Sequence, residues 1–118
     1  DVLNMLLADK LIFADIKYNT QFSLNYQLKE SFINPVTNDT IFIHYIGPTK
    51  PWHDWAWDYH VSQAFMEAKN ASPWKNTALL KPNNSNQLRY SAKHMLKKHR
   101  YLKGFSNYLF YFIEKIKH

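Results

Sequence analysis

Apolar residues recurring at intervals of three and four fill the second half of the chain, and this periodicity limits its fold more than any other feature. Val61, Ala64, Phe65 and Ala68 stand at i, i+3, i+4 and i+7. Leu88, Ala92, Met95, Leu96 and His99 mark a basic helix, and Phe105, Tyr108, Leu109, Phe112, Ile113 and Ile116 form a stripe past Gly104. A strand, whose side chains alternate in twos, cannot present such a stripe on one side. The second half is therefore read as an all-helical tail, with "KPNNSN" as a linker ahead of the basic helix. At "SPW", Ser72 offers an N-cap and Pro73 a first helical residue, so another helix is expected to start there.

The first half carries different signals. Val2, Leu3, Leu6 and Leu7 share a helical face, and "LIFADI" after them is a short apolar run of the kind found in buried strands. Residues 17–40 are polar and aromatic, with turn signals at Asn34-Pro35 and Asn38-Asp39, and read as irregular or short-helical. "IFIHYI" then reads as a buried strand stopped by Gly47-Pro48, which delivers His44 near its end.

The 118 residues suit one domain, and the opening "DVLNMLLADK", without an initiator methionine or signal peptide, reads as the interior of a longer protein. No apolar run approaches the roughly 20 residues that span a bilayer, so a non-spanning chain is expected. With no cysteine there are no disulfides or thiolate ligands, which fits a reducing cytoplasm and leaves His, Asp and Glu for any metal. The net charge of +6 is uneven: from Gln87 onward eight Lys or Arg face the single acid Glu114, while the rest of the chain sums to −1. A tail of this kind points toward an anionic partner, be it nucleic acid, a phosphorylated glycolipid or a membrane surface.

Chemistry concentrates in "HYIGPTKPW", residues 44–52. A histidine can ligate a divalent cation, a glycine allows close backbone approach, and a lysine neutralises phosphate oxygens. Taken singly, His44 reads first as a core histidine at a strand end, satisfied by a backbone carbonyl, and Lys50 as a solvated loop lysine. Their common spacing with Gly47 favours one half of a metal-diphosphate site.

"DVLN", "HYIGPTKPW", "SPW" and "LRYSAKHMLKKHRYLKGFSNYL" together resemble the C-terminal part of the lipopolysaccharide core glycosyltransferases of glycosyltransferase family 8, and within them the enterobacterial α-1,3-glucosyl and galactosyl transferases. The resemblance implies an α/β fold: residues 1–56 as the C-terminal end of a GT-A type catalytic domain, and 57–118 as the family's helical extension. It implies transfer, with retention, of glucose or galactose from UDP-glucose or UDP-galactose to the lipopolysaccharide outer core. It also implies Mn2+ or Mg2+ as cofactor, with His44 as metal ligand and Gly47 and Lys50 at the donor diphosphate. Asp1 resembles the last member of an Asp-Gln-Asp motif beside the active site, while Asn19 and Gln21 fall where family members face the acceptor. The Asp-x-Asp metal motif of the family does not occur in these residues, so they are expected to be inactive alone. Because the implied acceptor is a phosphorylated lipid of the cytoplasmic leaflet, the resemblance makes the basic tail a peripheral contact with the anionic inner face of the inner membrane.

Other residues invite less specific readings. His53, Asp54, Asp58 and His60, and the pair His94 and His99, lack paired i, i+4 geometry with a third ligand and are read as rim or helix-surface groups. Trp52, Trp55, Trp57 and Trp74 could stack on sugars, but rings of this kind more often lock a loop against a helix. A rival class is a small basic binding module using "KHMLKKHR" and the interleaved tyrosines. It carries no recognised nucleic-acid signature and leaves "HYIGPTKPW" without a purpose, so no nucleic-acid partner is expected.

Overall fold

The computed structural model describes residues 2–116. Short helix α1 (Val2–Leu6) is followed by strand β1 (Thr20–Phe22), strand β2 (Ile43–Tyr45) and helix α2 (Gln63–Asn70). Two longer helices, α3 (Ser85–Lys97) and α4 (Tyr101–Ile116), complete the order, and single 3-10 turns fill several connections. Asp1, expected beside the active site, lies outside the described residues.

β1 and β2 pair in parallel, with Thr20 opposite Ile43, Gln21 opposite His44 and Phe22 opposite Tyr45. Alternation puts Phe22 inward and leaves Gln21 and His44 together on the outer face. The expected strand at "LIFADI" does not form: residues 11–15 have no regular structure, and Ile12 and Phe13 are 97% and 90% exposed. A strand is held by a ladder to a neighbour, and among the described residues this run has none. β2 itself is shorter and less buried than "IFIHYI" led one to expect, since Ile41 and Phe42 are exposed before the pairing begins.

Phe22, Leu24, Trp55, Ala56, Val61 and Met95 form the core, with Tyr26, Phe32, Ile43, Tyr45 and Tyr59 packed around it. Met95 ties α3 into this cluster, and α3 also lies on the 3-10 turn Leu24–Leu28. The helical half is thus anchored on the sheet half by burial, the main driving term for such docking.

Two helix boundaries differ from expectation. Ser72, Pro73 and Trp74 make a turn in which the Ser72 hydroxyl accepts from the Trp74 N–H at 3.2 Å, and no helix follows. Asn84 instead caps α3, its side-chain oxygen accepting from the Gln87 N–H at 2.9 Å. At the other end of α3, His99 takes a left-handed conformation (φ 58°), the Arg100 N–H bonds the Met95 carbonyl and the His99 N–H bonds the Leu96 carbonyl. That is a Schellman closure, with histidine where glycine is usual. Gly104 therefore does not precede the last helix but sits inside α4, where a Cβ would come 2.7 Å from Leu96 Cδ2. It lets α3 and α4 pack closely.

Candidate functional site

The outer face of the two-stranded sheet gathers three of the residues singled out by sequence. His44 projects from β2, Gln21 stands opposite it on β1, and Asn19 lies two residues before Gln21. His44 Nδ1 and Asn19 Oδ1 are 3.0 Å apart. An amide oxygen only accepts, so Nδ1 carries the hydrogen and the neutral ring keeps its lone pair on Nε2. A divalent cation fits there as a one-ligand contribution, because Nε2 has no partner among the described residues and the side chain is exposed. No group of three His, Cys, Asp or Glu among the described residues could hold an ion without further ligands.

The loop after β2 carries the other two. Gly47 has φ 81°, a conformation that a side chain resists, and an added Cβ would meet Ser23 Oγ at 2.9 Å. The Ile46 N–H bonds the Phe22 carbonyl at 2.9 Å, so this turn is pinned to the end of β1. Lys50 is half-buried. Its ammonium turns back to donate to the Tyr45 carbonyl and lies 6.0 Å from the centre of the Trp52 ring.

A residue that sequence reasoning placed on the rim organises this loop from inside. His53 is buried, stacks on Trp55 with centroids 4.1 Å apart, and accepts the Lys50 N–H on Nδ1 at 3.1 Å. Burial lowers its pKa, Asp54 opposes the shift and Lys50 adds to it. The neutral ring can accept that hydrogen bond, and the only sequence hint was its position three residues after Lys50. Leu80 closes the loop from below: its N–H bonds the Trp52 carbonyl and its carbonyl accepts from the Asp54 N–H, both at 2.9 Å.

His94 is likewise not a surface group. It is fully buried between the Tyr59 hydroxyl, 2.7 Å from Nδ1, and Asn25 Oδ1, 3.0 Å from Nε2. Burial, reinforced by Lys98 and opposed by Asp58, lowers its pKa to about 3. The basic segment "KHMLKKHR" therefore presents no continuous positive face. Lys98 binds Asp58 and the Trp55 carbonyl, Arg100 binds Asp58 at 2.9 Å, and Lys103 reaches Asp54 at 3.4 Å. Lys93 and Lys97 remain exposed.

Of the tryptophans, Trp55 is wholly buried, and Trp52 leans on Phe65 with centroids 5.7 Å apart. Trp74 is 68% exposed and lines an open apolar groove with Trp52, Phe65, Ala68 and Leu80, away from His44.

Residues 1–56 match the model described as glycosyl transferase family 8, and residues 59–115 match that described as glycosyl transferase family 8 C-terminal. A lipopolysaccharide glucosyltransferase of Escherichia coli is 99% identical over all 118 residues, which make up 35% of that protein. A lipopolysaccharide 1,3-galactosyltransferase of Salmonella typhimurium is 57% identical over 116 residues, covering 98% of this chain and 34% of the relative. A lipopolysaccharide 1,2-glucosyltransferase of Escherichia coli is 33% identical over 108 residues, covering 88% of this chain and 32% of the relative. The chain thus spans about a third of the length of the curated relatives it matches. No solved structure matches it.

Proposed function

The chain belongs to glycosyl transferase family 8, and on that premise we propose that it forms part of a retaining hexosyltransferase of the GT-A type, which moves glucose or galactose from a UDP-sugar to the outer core of lipopolysaccharide. The observation that carries this reading is the placement of His44, Gly47 and Lys50 on one strand-and-loop unit, with Asn19 and Gln21 on the outer face beside His44. The names of the relatives, which specify glucosyl and galactosyl transfer to lipopolysaccharide, support hexose as the group moved and the core oligosaccharide as acceptor.

Departure of UDP from the anomeric carbon puts negative charge on the diphosphate oxygens. A bound Mn2+ or Mg2+ would supply Lewis-acid stabilisation of that charge. In this scheme His44 would offer Nε2 to the cation, and among the described residues no group of three such ligands surrounds it. Lys50 exchanges its bond to the neutral Tyr45 carbonyl for a charge-assisted bond to a diphosphate oxygen, a gain in strength that favours the exchange. Gly47 takes the positive φ that this turn requires and avoids the clash with Ser23 that a side chain would bring, which holds the loop backbone in place beside the donor site. Gln21 offers an amide to an acceptor hydroxyl.

The reading includes peripheral attachment to the cytoplasmic face of the bacterial inner membrane. Lys93 and Lys97 on α3 are exposed, and Leu102, Phe105, Leu109, Phe112 and Ile116 form an exposed apolar stripe on α4, which supports interfacial binding. No described helix is long and apolar enough to cross a membrane.

The test is UDP release by the complete protein in the presence of lipopolysaccharide truncated at the inner core. Acceptor-dependent UDP formation from UDP-glucose or UDP-galactose is expected. Hydrolysis without sugar transfer, or transfer from neither donor, would overturn the assignment.

A further inference from the structure

Asn19 is the one side-chain partner of His44 among the described residues, and it comes from 25 positions earlier in the chain. Its amide oxygen has lone pairs and no proton, so the 3.0 Å contact needs hydrogen on Nδ1 and leaves the lone pair of the neutral ring on Nε2.

The backbone around Asn19 is held on both sides. Its N–H bonds the Ile16 carbonyl at 2.9 Å, closing the 3-10 turn Ile16–Tyr18. Asp15 caps that turn, its carboxylate accepting from the Lys17 N–H at 3.0 Å. The Lys17 carbonyl accepts from Ile41 and Phe42 at 2.9 and 3.1 Å, and the Thr20 N–H bonds the Phe42 carbonyl at 3.0 Å. The turn bearing Asn19 is therefore stitched to the segment that leads into His44. This fixes the distance between the two side chains through backbone rather than through flexible surface contacts.

We propose that Asn19 is a positioning residue for cation binding: it holds His44 in the Nδ1–H tautomer and aims Nε2 at the divalent ion. The proposal rests on the reading of His44 as a cation ligand. It gives the Asn19 carbonyl a role different from acceptor contact and leaves Gln21 as the amide of this face that meets the sugar. Outer partners of ligating histidines fix ring orientation in this way, and losing one typically weakens metal binding 10- to 100-fold.

Two measurements on the complete protein test it. Nitrogen NMR shifts of the metal-free protein should report the His44 ring protonated at Nδ1, and an Nε2–H tautomer would overturn the proposal. Mn2+ titration with UDP present, read by electron paramagnetic resonance of the free ion, should show affinity about 10- to 100-fold weaker in Asn19→Ala with the melting temperature unchanged. Asn19→Asp, which can accept the same hydrogen, should recover most of the loss. Weak Mn2+ binding in His44→Ala beside parental binding in Asn19→Ala would overturn the positioning role and leave the ligand reading intact. Parental binding in both variants would overturn both.

Discussion

The Tyr59 hydroxyl and His94 Nδ1 lie 2.7 Å apart, and with Asn25 on the other ring nitrogen they bind α3 to the sheet half of the chain through a buried polar chain. Burial, with Asp58 adding to it, raises the Tyr59 pKa, so its hydroxyl keeps its proton and donates to His94. The histidine then donates from Nε2 to Asn25. Burial, with Lys98 adding to it, disfavours a charged ring in this polar chain, which is held together by a neutral His94.

Acid should therefore loosen this joint. The folded pKa of His94 is about 3 against an ordinary 6.5 when unfolded, so the unfolded chain takes up the proton first. The stability present above about pH 6.5 falls as pH drops toward 3, with a slope approaching about 1.4 kcal/mol per pH unit from this group. Thermal unfolding of the complete protein between pH 7.5 and 5 should lose part of its pH dependence in His94→Gln. An unchanged dependence would contradict the assignment.

The contact of Gly104 with Leu96 predicts a substitution whose cost depends on its neighbour. Gly104→Ala alone pushes a methyl to 2.7 Å from Leu96 Cδ2 and should cost about 1–3 kcal/mol by overpacking. In a Leu96→Ala background the side-chain clash is gone and only the Leu96 backbone N, 3.3 Å from the added Cβ, stays close, so the same change should cost clearly less than in the parent as helix propensity offsets the remaining contact. A double-mutant cycle by urea unfolding reads the difference, and additive effects would argue against the close approach.

Asp58 should matter more than the lysines around it. It neutralises Lys98, whose pKa is lowered first by burial and supported by Asp58, and it also pairs with Arg100. Asp58→Asn leaves a half-buried ammonium without its counter-charge and should cost about 2 kcal/mol, between the values for exposed and fully buried pairs. Lys97→Ala, at an exposed position, should stay within about 0.5 kcal/mol of the parent.

Membrane attachment, if electrostatic, must use the cations that are free. Lys93→Glu/Lys97→Glu should weaken sedimentation with anionic vesicles and added salt should do the same, each basic residue near the lipid contributing roughly 1 kcal/mol. Changing Lys98 or Arg100 would confound the assay by unpairing Asp58. Equal binding to neutral vesicles, insensitive to salt, would reject the electrostatic contribution.

Periodicity exposed α2, α3 and α4 in the sequence because each repeats apolar residues along one side over two or more turns, although α3 alone buries several of its residues and the stripe of α4 stays largely exposed. β2 was visible as an apolar run, and the His44-Gly47-Lys50 spacing was visible because all three come from one local stretch. The rest depended on partners far along the chain. β1 is three residues long and carries no pattern of its own, while residues 11–15 have strand composition without a strand beside them. His94 sits on the inward side of α3, yet only Tyr59 and Asn25, 35 and 69 positions away, make burial of an imidazole tolerable. The pairing of Lys98 and Arg100 with Asp58 spans 40 and 42 positions, so a segment that reads as a free basic tail is partly neutralised by the body it docks on.

On the proposed function, His44 and Lys50 serve the leaving diphosphate rather than the fold. His44 is exposed and Lys50 bonds only a backbone carbonyl that water or a phosphate can replace, so neither substitution removes core packing. The most direct measurement is sugar transfer from the UDP-hexose by complete His44→Ala and Lys50→Ala proteins, alongside their melting temperatures. Transfer should fall by at least about 100-fold, the loss expected when a charge-stabilising group is removed from a departing diphosphate, while both proteins melt within a few degrees of the parent. Parental transfer in both variants would contradict the account.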